Sequence, residues 1–314
     1  GCSPGGTSAD NGTNSISFGT LSEASYSCTI TVTDSAGNPS SALSVNTFVV
    51  DTTAPTVSSV SSSTSDGAYK LNDNITVTVT FSESVIVDNS SGNPRIQLET
   101  GTNDRYANYI SGNSTSILSF LYTAQSEDNS SDLDYKATNS LSANSGTIRD
   151  NATNDSTLTL SSPGASGSLG ANKSIVIDTT APTVSSVSTT ADNQSSVAIT
   201  DNITVTFSEA MDNTSVTTNT DNTSCYGTLG VSSDNFSSCV QMSSAPASSS
   251  DNMTFTLDPY DNLTVGSTYL TRVTTGVKDS AGNALSSQYE TSSGFATNLV
   301  SNPGNETGDF SGWT

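Results

Sequence analysis

The feature that most constrains this chain is an eleven-residue stretch, DTTAPTVSSVS, that occurs twice, at Asp51–Ser61 and at Asp178–Ser188. Each copy is followed by a second shared stretch, DNITVTVTFSE at Asp73–Glu83 and DNITVTFSE at Asp201–Glu209. The spacing between the copies, from residue 51 to residue 178, is too long for a solenoid turn and suits one whole domain. We therefore expect consecutive modules, each opened by the same linker and the same first strands.

The shared stretches have the alternation of half-buried β-strands. Apolar residues alternate with Thr and Ser at Ile75, Val77, Val79 and Phe81 and again at Ile203, Val205 and Phe207. Similar segments recur between turn residues, at 28–34, 43–51, 116–123 and 156–161. Val57 and Val60 lie three apart, so the first strand needs a bend or bulge to bury both. The pattern predicts an all-β fold of tandem β-sandwich domains in an elongated array.

Charge and residue content exclude several classes of function. The 30 acidic and 8 basic residues leave no basic surface for nucleic acid or for anionic membranes. The chain has no histidine, which excludes Ser-His-Asp and Cys-His catalysis and His-ligated metals. We expect a non-enzymatic protein, with the excess of carboxylates serving either solubility or the binding of divalent cations.

The expected location is inferred from the lack of long apolar runs and from the cysteines. No apolar run is long enough for a transmembrane helix or a signal peptide, and we take the chain as a segment of a longer exported precursor. The four cysteines lack metal-type spacing and predict two disulfides, Cys2–Cys28 and Cys225–Cys239, in an oxidising extracellular compartment. An alternative for Gly1-Cys2-Ser3 is the end of a bacterial lipobox, with Cys2 lipidated. Tyr26, two residues before Cys28, resembles the tyrosine corner of Ig sandwiches.

Several stretches resemble modules of bacterial surface proteins. Residues 26–55, YSCTITVTDSAGNPSSALSVNTFVVDTTAP, resemble the second half of the Ig-like repeats of large adhesins, in which a D-x-A-G-N turn precedes a hairpin and a D-T-T-A-P linker. Residues 52–178 resemble a longer Ig-like or cadherin-like adhesin repeat, in which the turn has become DNATN at Asp150–Asn154. That module therefore lacks the turn glycine.

The remaining residues resemble two further modules. DNITVTFSEAMD and YLTRVTTGVKDSAGNALSSQYETSSGFAT make residues 179–297 similar to the Ig-like domain named after the S-layer protein SbsA. Residues 298–314 resemble the start of a lectin-like β-sandwich. The expected domains are the C-terminal half of an Ig-like domain at 1–51, modules at 52–178 and 179–297, and the beginning of a further domain at 298–314.

The resemblance implies calcium at the module junctions, because calcium stiffens the junctions of related adhesins and cadherins. Hard cations prefer carboxylate and carbonyl oxygens. The candidate ligands are the linker aspartates Asp51 and Asp178, the turn aspartates Asp34 and Asp279, and the strand-end glutamates Glu83 and Glu209. In the alternative interpretation the turn and linker aspartates only cap their own backbone, with Gly37 and Gly282 in the left-handed conformation at the turns. A second oxygen-rich loop contains Glu127, Asp128, Asp132 and Asp134.

The function expected from these features is that of an adhesin stalk at the cell surface. Pro55 and Pro182 stiffen the linkers, so the modules would space and present a binding module that adjoins them. The partner would be a receptor or glycan on a host or neighbouring cell, reached through adjoining modules. The alternatives are a subunit of a self-assembling filament or S-layer, and an Ig-like module that itself binds glycan or protein.

Overall fold

All but one of the strand pairs among the described residues are antiparallel, and the strands form the β-sheets that the alternating sequence predicts. A computed structural model describes residues 4–5, 14–187 and 190–298. Within these ranges the fold is nearly all β, and the one α-helix is the single turn α1 (Leu169–Asn172). The prediction of an all-β fold is confirmed. A search of the same residues for a helix long and apolar enough to span a membrane finds none.

The first segment, up to residue 51, forms short strands with few buried side chains. The hydroxyl of Tyr26 donates to the carbonyl of Ser22 at 2.7 Å, as in a tyrosine corner, and the ring stacks on Phe48. Val49 and Leu43 remain 69% and 67% exposed. The antiparallel pairs are β1–β2, β3–β6 and β4–β5, with bounds β1 (Pro4–Gly5), β2 (Ser17–Phe18), β3 (Ala24–Tyr26), β4 (Thr29–Ile30), β5 (Leu43–Ser44) and β6 (Phe48–Val50).

The second module contains the longest strand, whose alternation produces one wall of its core. Every other residue of β9 from Ile75 to Phe81 is buried, and Val85 and Val87 continue the same face. The strands are β7 (Val57–Ser62), β8 (Gly67–Tyr69), β9 (Asn74–Asp88), β10 (Arg95–Leu98), β11 (Arg105–Ser111), β12 (Thr115–Thr123), β13 (Asn129–Ser130), β14 (Leu141–Ser142), β15 (Thr147–Arg149) and β16 (Ile175–Asp178).

Two sheets enclose that core. The larger sheet has the order β14-β10-β11-β12-β9-β15, with β7 also paired to β9, and the smaller has the order β13-β16-β8. Strand β16 runs parallel to β8 and antiparallel to β13. Because β16 ends at Asp178, the second copy of the linker begins at the end of this sheet.

The third module repeats the arrangement with shorter strands and a separate core. One sheet has the order β17-β18-β21-β20, and in the other β22 pairs with β19, β23 and β24. Phe207 and Phe255 meet edge to face at its centre. The strands are β17 (Val184–Val187), β18 (Ile203–Phe207), β19 (Leu229–Ser232), β20 (Ala247–Ser248), β21 (Thr254–Leu257), β22 (Thr268–Val273), β23 (Tyr289–Glu290) and β24 (Phe295–Ala296).

Two local predictions are confirmed. The first strands of the second and third modules have a register shift, between Val57 and Ser59 in β7 and between Val184 and Ser186 in β17, which provides the expected bulge. Cys225 and Cys239 form a disulfide. The other predicted disulfide involves Cys2, which lies outside the described residues, as do residues 299–314 of the predicted fourth domain.

Candidate cation sites at the two junctions

Each junction brings three carboxylates together. Asp51, Glu83 and Asp150 form the first triad, and each offers a ligand oxygen within 4.8 Å of the others. Asp178, Glu209 and Asp279 form the second triad with the same criterion. The third residue of each triad is buried and the other two are half-buried. Both triads therefore consist of a linker aspartate, a glutamate two residues after a buried strand phenylalanine, and a turn aspartate, from equivalent places in consecutive modules.

The linker aspartate of each triad is fixed by its own chain. Asp51 follows β6, and its Oδ1 accepts a hydrogen bond from the backbone N–H of Thr53 at 3.0 Å. Asp178 ends β16 and accepts the same bond from Thr180, also at 3.0 Å. One carboxylate oxygen thus caps the linker. The identical D-T-T sequences explain why the two local structures are the same.

The glutamate is placed by strand parity and by the linker. Glu83 continues the inward-facing side of β9 two residues after Phe81, and Glu209 follows Phe207 in the same way.

The serine that precedes each glutamate binds the linker. Ser82 N–H donates to the carbonyl of Thr56, while Ser82 Oγ accepts from Thr56 N–H. Ser208 and Thr183 repeat this pair. Contrary to the sequence analysis, Glu83 does not end its strand, since β9 continues to Asp88.

The turn aspartate is held by a five-residue loop that closes on an asparagine. Asp279 Oδ1 accepts from the N–H groups of Ala281 and Asn283, and its Oδ2 accepts from the Asn283 side chain at 2.9 Å. Asp150 is held similarly by Asn154. Gly282 has φ 90°, and Thr153 occupies the equivalent position with φ 75°. The turn therefore forms without its glycine. Thr153 must then adopt the left-handed conformation, which is unfavourable for a residue with a side chain.

Each triad groups three acidic side chains whose negative charges repel one another. Burial, followed by the charges of Asp178 and Asp279, raises the pKa of Glu209 to about 7. Burial, followed by the charges of Asp51 and Asp150, also raises the pKa of Glu83. None of the ion pairs among the described residues includes a triad member. Adjacent carboxylates without a cationic partner favour a shared proton or a bound cation.

The sequence predicted five of the six triad residues and missed Asp150. Its turn lacks the glycine that makes D-x-A-G-N recognisable, although the first and last residues, Asp150 and Asn154, are present. Asp34 forms the same turn, with hydrogen bonds from Ala36 and Asn38 to its Oδ1, but it is exposed and belongs to neither triad. Its role as a cation ligand stays a prediction.

The oxygen-rich loop that contains Glu127, Asp128, Asp132 and Asp134 does not gather its carboxylates into a triad. Asp128 is fully buried and accepts hydrogen bonds from Arg105 Nε and from the Tyr122 hydroxyl, both at 2.7 Å. Asp134 accepts from the backbone N–H groups of Tyr135 and Gly164. These two carboxylates stabilise the second module, and the loop contributes no carboxylate group of the kind found at the junctions within the described ranges.

Comparisons with known proteins agree with the fold of the third module. Residues 178–297 match a family model described as bacterial Ig-like domain, which covers less than half of the chain. This match confirms the resemblance to bacterial Ig-like modules and begins at the linker residue Asp178. No curated protein matches the chain.

Solved structures share low identity with the chain. The N-terminal part of the bacterial S-layer protein SbsC is 22% identical over 38% of this chain, with a TM-score of 0.27. The chain spans 24% of that structure's length. The S-layer protein rSbsC(31-844) is 23% identical over 39% of this chain and 14% of its own length, again with a TM-score of 0.27.

A vertebrate structure covers more of the chain at lower identity. The FN1–FN3 domains of chicken CNTN1 are 12% identical over 87% of this chain and 76% of their own length, with a TM-score of 0.26. TM-scores this low carry no argument about function. What the family match and the strand pairing establish is an all-β chain whose residues 178–297 are similar to bacterial Ig-like domains.

Proposed function

We propose that this chain is a non-enzymatic structural segment of a bacterial cell-surface protein, in which Ig-like modules space and present an adjoining binding module. The observation that carries the proposal is the replicated junction, since the same linker, glutamate and turn meet at residues 51 and 178. A repeated junction geometry is what a spacer with a defined direction between modules requires. The family match and the acidic, disulfide-containing chain support a location outside the cell.

We further propose that the triads bind Ca²⁺. The three carboxylates fit a hard divalent cation, because they offer charged oxygen ligands within 4.8 Å of one another and have no cationic side chain among their partners. Ca²⁺ takes six to eight oxygen ligands, so backbone carbonyls or water would supply the rest. Burial raises the pKa of Glu209, the charges of Asp178 and Asp279 raise it further, and a bound cation would neutralise that repulsion. Asp51 and Asp178 would then tie the end of one module to the beginning of the next.

Calorimetric titration and thermal unfolding with Ca²⁺ and with chelator test the cation site. We expect Ca²⁺ to raise the unfolding temperature of the segment. Asp279→Asn should remove the contribution of the second junction and leave that of the first. Asp34→Asn is the matched control, because Asp34 has the same turn outside the triads. Equal unfolding temperatures with and without Ca²⁺ would overturn the cation proposal.

Particle images and sedimentation velocity test the spacer role separately from calcium. Extended monomers would support a stalk, whereas ordered polymers would favour the alternative of a filament or S-layer subunit. Binding of a glycan or a cell by residues 179–297 alone would favour the third possibility, a module that itself binds. If adhesion of the whole surface protein is lost only when an adjoining module is removed, the stalk is supported.

A further inference from the structure

The side-chain amides of two asparagines cross from the turn to the backbone of the linker. Asn283 Nδ2 donates to the carbonyl oxygen of Asp178 at 2.9 Å, over a sequence separation of 105 residues. Asn154 Nδ2 donates to the carbonyl oxygen of Asp51 at 3.1 Å, over a separation of 103 residues. The same long-range bond is therefore made at both junctions.

The turn that carries the asparagine has the same internal bonds at a third place in the chain, where the described residues show no bond to a linker. In the turn at Asp34–Asn38, Asn38 Nδ2 donates to Asp34 Oδ2 at 3.1 Å and Asn38 N–H donates to Asp34 Oδ1 at 2.9 Å. These are the internal bonds of the Asp279–Asn283 turn. Within the described residues, the Asn38 side chain bonds only to Asp34. The asparagine is thus positioned by bonds within its own turn.

A carboxamide suits this position because it has two N–H donors and no charge. At Asn283 the Nδ2 group serves both the Asp279 carboxylate and the Asp178 carbonyl, so it joins two members of the triad. Asn154 joins Asp150 and Asp51 in the same way. A lysine there would neutralise the carboxylates, whereas the neutral amide leaves their charges in place.

We infer that Asn154 and Asn283 are positioning residues that fasten each linker to the next module and hold the linker aspartate beside the turn aspartate. The hydrogen bond needs no cation, so the junction is partly ordered before any ion binds. This inference deepens the proposed function and rests on it, since a fastened linker matters for a protein that spaces its modules.

The test is nuclear magnetic resonance on the intact segment in chelator. Asn283→Ala should shift the carbonyl ¹³C resonance of Asp178 and speed amide exchange of Thr180, whose N–H bonds to Asp178. The expected factor is about fivefold, which corresponds to the net 1 kcal/mol of an ordinary hydrogen bond. Residual dipolar couplings should show that residues 52–178 and 179–297 no longer share one alignment tensor.

Asn38→Ala is the matched control, since it removes the internal bond of an identical turn without touching a linker. It should leave the Asp178 resonance and both alignment tensors unchanged. Asn283→Leu keeps the approximate side-chain shape, adds no charge and loses the Nδ2 donors, and it replaces Asn283→Ala if that variant fails to fold. Unchanged exchange and a common tensor in a folded Asn283 variant would overturn the inference. Because the measurement is made in chelator, a failure of the calcium proposal would not alter its outcome.

Discussion

The Nε atom of Arg105 lies 2.7 Å from Oδ1 of Asp128, in an ion pair whose carboxylate is fully buried. The carbonyl of the same aspartate accepts a hydrogen bond from the Thr179 hydroxyl in the second linker at 2.9 Å. The next residue, Asn129, pairs with Asp178 between strands β13 and β16. The buried pair therefore supports both the core of the second module and the strand that ends in the triad.

Asp128→Asn should destabilise the second module by about 3 kcal/mol, because removing one partner of a buried pair leaves the other charge uncompensated. Denaturant unfolding followed at the second module measures the loss. Lys136→Gln is the control, since Lys136 and Glu99 are both nearly half exposed and such a surface pair contributes less than about 1 kcal/mol. Equal effects of the two substitutions would contradict this assignment.

Thr153→Gly should stabilise the second module by about 1 kcal/mol. Thr153 adopts φ 75°, a left-handed conformation that costs an L-residue about 1–2 kcal/mol and that glycine adopts freely. The free energy of unfolding of the variant measures the gain.

The reciprocal change, Gly282→Ala, should destabilise the third module by a similar amount. Gly282 has φ 90°, and an added Cβ would meet only the Lys70 side chain, at the ordinary contact distance of 3.8 Å. The loss would then come from the backbone conformation and not from a clash. If Gly282→Ala left the free energy of unfolding unchanged, the explanation for both positions would be contradicted.

In the presence of chelator, the stability of the third module should fall as the pH rises from about 5 to about 8. Burial and the charges of Asp178 and Asp279 raise the pKa of Glu209 to about 7 in the folded protein, above its ordinary value of 4.5. The folded state therefore binds the proton more tightly than the unfolded state. That stabilisation is fully present below the ordinary pKa and is lost as the pH rises through the raised pKa.

Glu209→Gln should flatten this dependence, because the amide keeps the shape of the side chain and does not ionise. Unfolding measured over the pH series in wild type and variant gives the comparison. Added Ca²⁺ should restore wild-type stability at the upper end of the range if the triad binds it. A slope that persists in Glu209→Gln would assign the pH dependence to another group.

Reduction of the Cys225–Cys239 disulfide should destabilise the third module by about 3 kcal/mol, as the chain-entropy model gives for a short closed loop. Cys225→Ser with Cys239→Ser should have the same effect without reductant. The unfolding of the second module, which contains no cysteine, provides the internal reference. A loss shared equally by both modules would show that they do not unfold separately.

The sequence by itself determined the alternating strands and the positions of the module junctions. Alternation at residues 75–81 and 203–207 depends only on neighbours two positions apart, so it identified β9 and β18 and the side on which Glu83 and Glu209 lie. The identical D-T-T linkers form identical local caps at Asp51 and Asp178 for the same reason. These features are local, and a local pattern is sufficient for them.

Only the tertiary structure decided which carboxylates meet. Asp150 joins Asp51 and Glu83 although its turn lacks glycine, and Asn154 and Asn283 reach linkers more than a hundred residues away. Asp34 has the full turn motif and joins no triad. The physical reason is that a turn sequence fixes bonds over about four residues, whereas a ligand group depends on which loops a sandwich brings to the same end.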